Sequence, residues 1–340
     1  MKQVAVVILN WDGQKLLERF LPFLVKYTPS DMADIIIADN ASTDDSLLFL
    51  EQNYPHLRII KLDKNYGFAG GYNRALEEIE HPYTVIINSD IEVTEDWLTN
   101  GIGYLESHKE VSALQPKILS YRSKHKFEYA GASGGFMDIY GYPYCRGRIL
   151  SFVEEDRGQY DDACDVLWAS GACLFIRTSI YKQVGGFDDF FFAHQEEIDL
   201  CWRMVNRGHR IVCLPTSLVY HVGGATLSKE SPRKTFLNFR NNLSMIYKNM
   251  PAAALNRVLF VRFFLDHLSI LVFLLQFQPS NAWAVIRARF AFYGRIKTLK
   301  LQRKENLLLS LPHLSALISQ KSLIFAFYLR KVKTFAQFRA

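Results

Sequence analysis

YTVIINSD, residues 83–90, runs through five strand-forming residues and then stops on Asn88, Ser89 and Asp90. Three further stretches have the same build: VAVVILN at 4–10, DIIIADN at 34–40 and LRIIKL at 57–62. Between them KLLERFLPFLVKY (15–27), DDSLLFLEQNY (44–54) and AGGYNRALEEI (69–79) carry apolar residues at helical spacing. Near-continuous apolar strands alternating with helices predict an α/β fold, its mostly parallel sheet covered by helices on both faces. Ligands of such sheets sit beyond the carboxyl ends of the strands. Asn10, Asp39 and Asp90 fall at those ends.

From about residue 110 to 165 the pattern loosens into EYAGASGGFMDIYGYPYCRGR (128–148), which reads as loops with a small antiparallel element. VLWASGACLFIR (166–177) resumes a buried strand, and EEIDLCWRMVNRG (196–208) reads as a helix ended by Gly208. HRIVCLP and SLVYHVGG read as two more strands. With 49% apolar and 22% charged residues, the 340-residue chain has enough apolar sequence for a substantial core. Its five cysteines include no Cys-x-x-Cys pair, which argues against a disulfide framework or a cysteine zinc site and fits a reducing compartment. The apolar run after Lys2 is short and passes into Asn-Trp-Asp, so it reads as a first strand and not as a secretory signal. Charge is divided: residues 251–340 hold 14 Lys and Arg against 2 acids, a balance of +12, which leaves −6 on residues 1–250. Such an acidic body does not seek nucleic acid, whereas the basic tail suits phosphate-bearing surfaces.

Each candidate site residue has a structural reading beside a functional one. Asp39, followed by Ser42, Thr43 and Asp44, makes a turn and helix cap, or accepts hydrogen bonds from a nucleobase or ribose. In KNYGFAGGYNRA (64–75) Gly67, Gly70 and Gly71 open a helix; they permit tight packing, or backbone approach to a phosphate or sugar. Their spacing is not that of a dinucleotide fingerprint. Asp90 forms a turn, or supplies the carboxylate that a divalent ion takes alongside ligand phosphates. His221 is a packed strand-end residue, or completes that ion's site beside Asp90. In FFFAHQEEIDLCWR (190–203) Asp199 pairs with Arg203 four residues on, while Ile198, Cys201, Trp202 and Val205 face a core. Glu197, in the first helical turn behind three phenylalanines, either caps the helix or is an ionised general base beside a dry cavity.

The order of Asp39, NYGFAGGYNRA, NSD, ASGACLFIR, GGFDDFFFAHQEEIDLCWR, YHVGGAT and FRNNLSMIYKN resembles bacterial glycosyltransferase family 2, particularly its rhamnosyltransferase-like members, over about residues 3–250. The resemblance implies a GT-A fold, a nucleotide-diphosphate sugar donor, a divalent metal, Mg2+ or Mn2+, and inversion at the anomeric carbon. It implies that Asp39 holds the nucleotide base, with Asn10, Gly67, Gly70, Gly71 and Asn73 also on the donor. It makes Asp90 the metal carboxylate, His221 a residue near metal and diphosphate, and Glu197 the catalytic base. Two positions depart from the family pattern. Asn88 stands at the first acidic position of Asp-x-Asp, and Glu197 stands where aspartate is usual, one methylene longer, which leaves Glu196 as the alternative base.

The division expected is a catalytic domain over 1–250 and a helical, basic, membrane-associating region over 251–340. In the latter the apolar run LSILVFLLQFQ (268–278) has 11 residues, against the roughly 20 needed to span a bilayer. Helices lying in the membrane interface, with Arg287, Arg289, Arg295, Lys297 and Lys300 near anionic headgroups, fit this composition; covering the catalytic domain or a dimer contact is the other reading. The expected partners are therefore a nucleotide-sugar donor, a glycan or lipid-linked acceptor and the inner face of the cell membrane, reached from the cytoplasm. A sugar-nucleotide nucleotidyltransferase would want a basic glycine-rich loop after the first strand, and NWDGQKLL is not one. A non-catalytic sugar- or nucleotide-binding scaffold is the remaining alternative.

Overall fold

Alternation along the first strand organises the core. In the computed structural model, which describes residues 2–223, 231–311 and 317–340, Val4, Val6 and Ile8 face one buried cluster with Leu17, Leu21, Trp97 and Leu98. Ala5 and Val7 face another with Ala69, Tyr72, Cys201 and Trp202. A strand buried on both faces cannot alternate with polar residues, hence its unbroken apolar run.

The strands of the main sheet are β1 (Val4–Asn10), β2 (Ala33–Asp39), β3 (Arg58–Lys61), β4 (Tyr83–Ile87), β5 (Ile91–Val93) and β6 (Val111–Ser120), joined later by β11 (Cys164–Asp165), β12 (Cys173–Arg177) and β13 (Arg210–His221). Their order is β11-β13-β6-β12-β4-β1-β2-β3, with β5 beside β13. β3, β2, β1 and β4 run parallel, as do β6 and β13, while β12 lies antiparallel between β4 and β6. Helices α1 (Gln14–Tyr27), α2 (Ser46–Asn53), α3 (Gly67–Glu77), α4 (Trp97–Ser107), α5 (Thr178–Gln183) and α6 (Glu196–Asn206) accompany the sheet. A second, antiparallel sheet of β7 (Gly135–Met137), β8 (Pro143–Cys145), β9 (Arg148–Ile149) and β10 (Phe152–Val153) is the small element expected in the glycine-tyrosine region.

Two expectations are corrected here. Residues 111–120 form a ten-residue buried strand that the sequence hid behind Gln115, Pro116 and Lys117. These polar groups are satisfied internally: the Gln115 amide accepts from the Ser170 N–H at 2.8 Å, and Lys117 pairs with Asp156 at 2.8 Å and with Asp161. HRIVCLP and SLVYHVGG are one strand, β13, whose register against β6 shifts between Leu214 and Leu218, where Pro215 has no N–H for the ladder.

The C-terminal helices are α7 (Pro232–Asn249), α8 (Ala252–Leu275), α9 (Pro279–Gly294), α10 (Ile296–Leu308), α11 (Leu323–Tyr328) and α12 (Phe335–Arg339). They are tied to the body. Phe335 and Phe338 pack on Tyr144 of the small sheet, and the Leu323 N–H donates to buried Asp138 at 2.8 Å. α8 is a single helix of 24 residues, long and apolar enough by length and composition to cross a membrane, although the 11-residue run had argued against that length. Two of its charges, Arg262 and Asp266, are turned inward, while Arg257 is exposed. Arg262 is buried, pairs with Asp266 at 3.2 Å and donates to Asn242 of α7, and Arg289 of α9 closes on Asp266 at 2.7 Å. Pulling α8 out of this packing would separate a buried ion network, which typically costs about 3–5 kcal/mol.

Candidate active site

The carboxyl ends of β1 and β2 join through side chains. The Asn10 amide donates to Asp39 at 3.3 Å and to Ser42 at 3.0 Å, and the Ser42 N–H donates to the other Asp39 oxygen at 3.1 Å. Both Asn10 and Asp39 are buried, and Asn10 Oδ1 has no hydrogen-bond partner among the described residues. Asp39 therefore does form the turn. A carboxylate has about four lone-pair sites, so its two internal bonds leave acceptor capacity.

The glycine helix is used by the chain itself. Gly67 has φ +72°, and a Cβ there would sit 2.5 Å from the carbonyl oxygen of Phe192. That carbonyl accepts the N–H groups of Phe68 at 2.6 Å and Ala69 at 3.2 Å, so it caps α3. A Cβ on Gly71 would meet Leu9 of β1 at 2.8 Å, and one on Gly70 would press on Tyr66 and Arg74 at 3.1 Å, with Asp189 at 3.6 Å. Asn73 donates to the Phe187 carbonyl at 2.9 Å and accepts from Tyr181 and the Phe187 N–H. Of these four residues expected on the donor, Gly67, Gly70 and Asn73 face the 187–192 segment, whose carbonyls and side chains fill the space beside them, and Gly71 packs on β1. Gly67→Ala combines a strained φ with a backbone clash and is expected to destabilise the fold by about 2–4 kcal/mol in urea unfolding. A change below about 0.5 kcal/mol, the size of an ordinary surface substitution, would contradict this packing.

Beyond β4, Asp90 and His221 come together as expected. Asp90 Oδ1 lies 3.1 Å from His221 Nε2, and Asp90 Oδ2 accepts from the Gly223 N–H at 3.2 Å. Asn88 is 3.5 Å from the same imidazole nitrogen. A third group was not expected: Glu128 lies 3.4 Å from His221 Nδ1, outside hydrogen-bonding alignment. Burial alone would lower the imidazole's pKa, but the two carboxylates outweigh it and raise it to about 10. Burial alone would raise Asp90, and the imidazole outweighs that and holds it below the usual range. The rest of YHVGGAT, residues 224–226, lies outside the described residues.

Among the described residues no group of three His, Cys, Asp or Glu side chains forms a closed metal cluster. The Asp90–His221 edge nonetheless suits an ion that displaces the proton between them and draws its other ligands from phosphate and water. Adjacent ligands at bonds of about 2.1 Å are roughly 3 Å apart in octahedral geometry, close to the 3.1 Å found. A carboxylate beside the far nitrogen, as Glu128 provides, is the usual orienting partner of a metal-bound histidine.

Glu196 and Glu197 open α6. Burial pushes the Glu197 carboxyl up to about 7, with nearby backbone N–H groups pulling it back. Burial and then the Glu197 charge push Glu196 well above the carboxylate range. One oxygen of each is buried without a hydrogen-bond partner among the described residues. Asp199, in contrast, has the expected structural role: it is wholly buried, pairs with Arg203 at 2.9 Å and accepts from Lys248 at 2.9 Å and Asn249 at 2.8 Å.

The turn leading to the two glutamates is strained, with positive φ at Phe192, His194 and Gln195. FRNN, residues 239–242 of α7, holds it. Asn241 donates to the carbonyls of Phe191, Ala193 and His194 at 2.8–2.9 Å, and Arg240 donates to those of Phe190 and Phe191. The phenylalanines pack against cations, Arg240 and Arg295 over Phe190 and Arg233 over Phe192.

Glu197 and the strand end that leads to Asp90 both border residues 171–172. A Cβ on Gly171 would sit 3.5 Å from the Glu197 Cβ. The next residue, Ala172, accepts the Asn88 N–H at 3.0 Å, and Asn88 borders the His221–Asp90 pair. Sequence reading passed over Glu128, which lies in loop-like sequence with no periodicity. It also passed over Asn40, whose amide spans Asn65 and the Gly67 carbonyl at 3.1 Å each. Only the doubled asparagine of FRNN was a visible signal for the clamp.

A mostly parallel α/β sheet with acids and a histidine gathered at its strand ends defines the class, and comparison with known proteins gives the family. The chain belongs to glycosyl transferase family 2, whose family model matches residues 4–185. An N-acetylglucosaminyl-diphospho-decaprenol L-rhamnosyltransferase of Mycobacterium tuberculosis is 26% identical over 236 residues, 64% of this chain and 75% of that protein. The rhamnosyltransferase WbbL of Escherichia coli is 26% identical over 227 residues, 64% of this chain and 83% of that protein. A mannosyltransferase from Pyrobaculum calidifontis, solved with GDP-Man and Mn2+, superposes with a TM-score of 0.53 at 14% identity, over 90% of this chain and 84% of that one. The fold is thus GT-A: a mostly parallel sheet flanked by helices, followed by a helical C-terminal region.

Proposed function

We propose that this protein is an inverting glycosyltransferase that moves a hexose or deoxyhexose from a nucleotide-diphosphate sugar to a hydroxyl of a lipid-linked glycan in cell-surface polysaccharide assembly. The observation that carries the reading is that Glu197 borders Gly171 while Asn88, which adjoins the Asp90–His221 pair, is bonded to the next residue, Ala172. The relatives' names favour the lipid-linked acceptor.

In this reading Asp39, with Asn10, takes the base or ribose of the donor. Asp90 and His221 would hold the divalent ion, with Glu128 beside the far nitrogen of His221; the ion would supply positive charge against the diphosphate. The acceptor hydroxyl approaches C1 of the sugar from the side opposite the diphosphate. Its oxygen forms the new bond to C1, Glu197 accepts its proton, and the C1–O bond to the nucleotide breaks with its electron pair passing to the phosphate. Attack from that side inverts C1. The half-buried Glu197 is suited to this because a carboxyl near pKa 7 ionises at working pH yet remains basic enough to take a proton. Gly67, Gly70 and Asn73 act on the donor indirectly, through the 187–192 segment, and Gly71 does so by seating α3 against β1.

A thermal-shift screen of nucleotide diphosphates and their sugars, with and without Mn2+, tests the donor side. A selective, Mn2+-dependent stabilisation is expected; no response to any of them would favour the non-catalytic scaffold.

The enzyme works in this reading at the cytoplasmic face of a membrane. Phe260, Phe264, Leu271, Leu275 and Phe277 of α8 and its end, and Trp283 of α9, are exposed, Phe277 to 93%. Exposed Lys297 and Lys300 lie further along, on α10. An apolar face with cations nearby suits the interface of an anionic bilayer. Binding to anionic vesicles at low salt is expected, and Leu275→Asp with Phe277→Asp should weaken it about 10-fold or more. Absence of vesicle binding by the unaltered protein would refute the membrane assignment.

A further inference from the structure

Three guanidinium groups stack on the phenylalanines that precede Glu196, Arg233 over Phe192 and Arg240 and Arg295 over Phe190, and Arg240 and a fourth, Arg287, stack on Phe236 of α7. Among the described residues the set makes one ion pair with a carboxylate, Arg295 with Asp188 at 3.8 Å, and Asp188 is already paired with Lys248 at 2.8 Å. Among the described residues positive charge is therefore in excess. Burial, with like-charge repulsion from Arg295 added to it, lowers the Arg240 pKa to about 10.

A cavity of about 150 Å³ opens in this cluster, between α7 and α9, lined by Pro232, Arg233, Phe236, Ser280, Ala284 and Arg287. Both arginines are exposed, and neither forms an ion pair with a carboxylate among the described residues. On one side Arg233 touches Phe192, whose carbonyl caps α3 and which stands four residues before Glu196. On the other side α9 carries exposed Trp283, next to the apolar end of α8. The cavity thus joins the lipid-compatible face to the loop that carries the proposed base.

We propose that this cavity binds the diphosphate of a polyprenyl-linked acceptor, with Arg233 and Arg287 as its ligands. The inference rests on the lipid-linked acceptor reading above. Arginine suits the task because its planar fork donates two hydrogen bonds to phosphate oxygens at once. The aromatic rings restrict both side chains without neutralising them. A diphosphate held here keeps the first sugar of the acceptor beside the turn at residues 192–195 while the prenyl chain stays with α8 and α9.

The test measures partitioning of the full chain onto phosphatidylcholine vesicles doped with polyprenyl diphosphate, against vesicles matched in surface charge with phosphatidylglycerol. The unaltered protein is expected to prefer the polyprenyl diphosphate by about 10-fold. Arg233→Ala with Arg287→Ala should erase that preference, leave phosphatidylglycerol binding in place and keep the unaltered melting temperature; Arg233→Gln with Arg287→Gln repeats the test should the alanine pair melt early. A double variant that still prefers polyprenyl diphosphate overturns the cavity assignment and leaves the lipid-linked reading standing. Equal losses on both vesicles would mean a general headgroup contact and also overturn it. No preference by the unaltered protein would count against the lipid-linked reading itself, and the proposal falls with it.

Discussion

Glu197→Gln is expected to lower sugar transfer by about 10²- to 10⁴-fold, the range that general-base assistance supplies, while nucleotide-sugar binding by calorimetry stays within about twofold. The substitution keeps shape and burial and removes only the ability to accept a proton. Turnover at the unaltered level would refute the assignment. The pH profile adds a second check. Because burial raises the Glu197 pKa to about 7, the base is protonated and idle below that value, so transfer should rise as pH increases through it. The linkage to stability has the opposite sign. A carboxyl whose folded pKa is raised binds more protons folded than unfolded, so the stability it contributes is present below the unfolded value of 4.5 and is lost as pH rises through the folded one. Glu196→Gln separates the two acids: with Glu197 as base, the rise near neutral pH persists, and its disappearance would move the role to Glu196.

Asp90→Asn is expected to abolish the Mn2+-dependent part of nucleotide diphosphate binding, a loss larger than the roughly 10- to 100-fold that outer-shell changes at metal sites cost. Glu128→Gln, which alters only the carboxylate beside the far side of His221, should fall within that smaller range. Titration of the nucleotide in Mn2+ and in chelator measures both. Binding by Asp90→Asn that still depends on Mn2+ at the unaltered affinity would exclude Asp90 as a metal carboxylate.

Much of the architecture was legible because strand burial leaves a mark in composition. The runs ending at Asn10, Asp39 and Ile87 had to be apolar on both faces, and each is a strand of the sheet. The Asp199–Arg203 pair was legible because helical geometry puts residues four apart side by side. β6 was not, since a buried Gln and Lys look like surface until their partners, Ser170, Asp156 and Asp161, are known. The first glycine of 67–71 announced a close approach but not by what; the approaching atoms belong to Phe192, 125 residues later.

Local patterning, which depends on neighbours within a turn or a strand, established the sheet, its helices, the strand-end positions of Asn10 and Asp39 and the charge split between body and tail. Convergence was settled by folding alone. Glu128 beside His221, Asn241 bridging three carbonyls of the strained turn, and Asp266 of α8 paired with Arg289 of α9 each join residues that are distant in the chain or set on different elements. Such contacts arise from packing, and packing leaves no periodic trace in the order of amino acids.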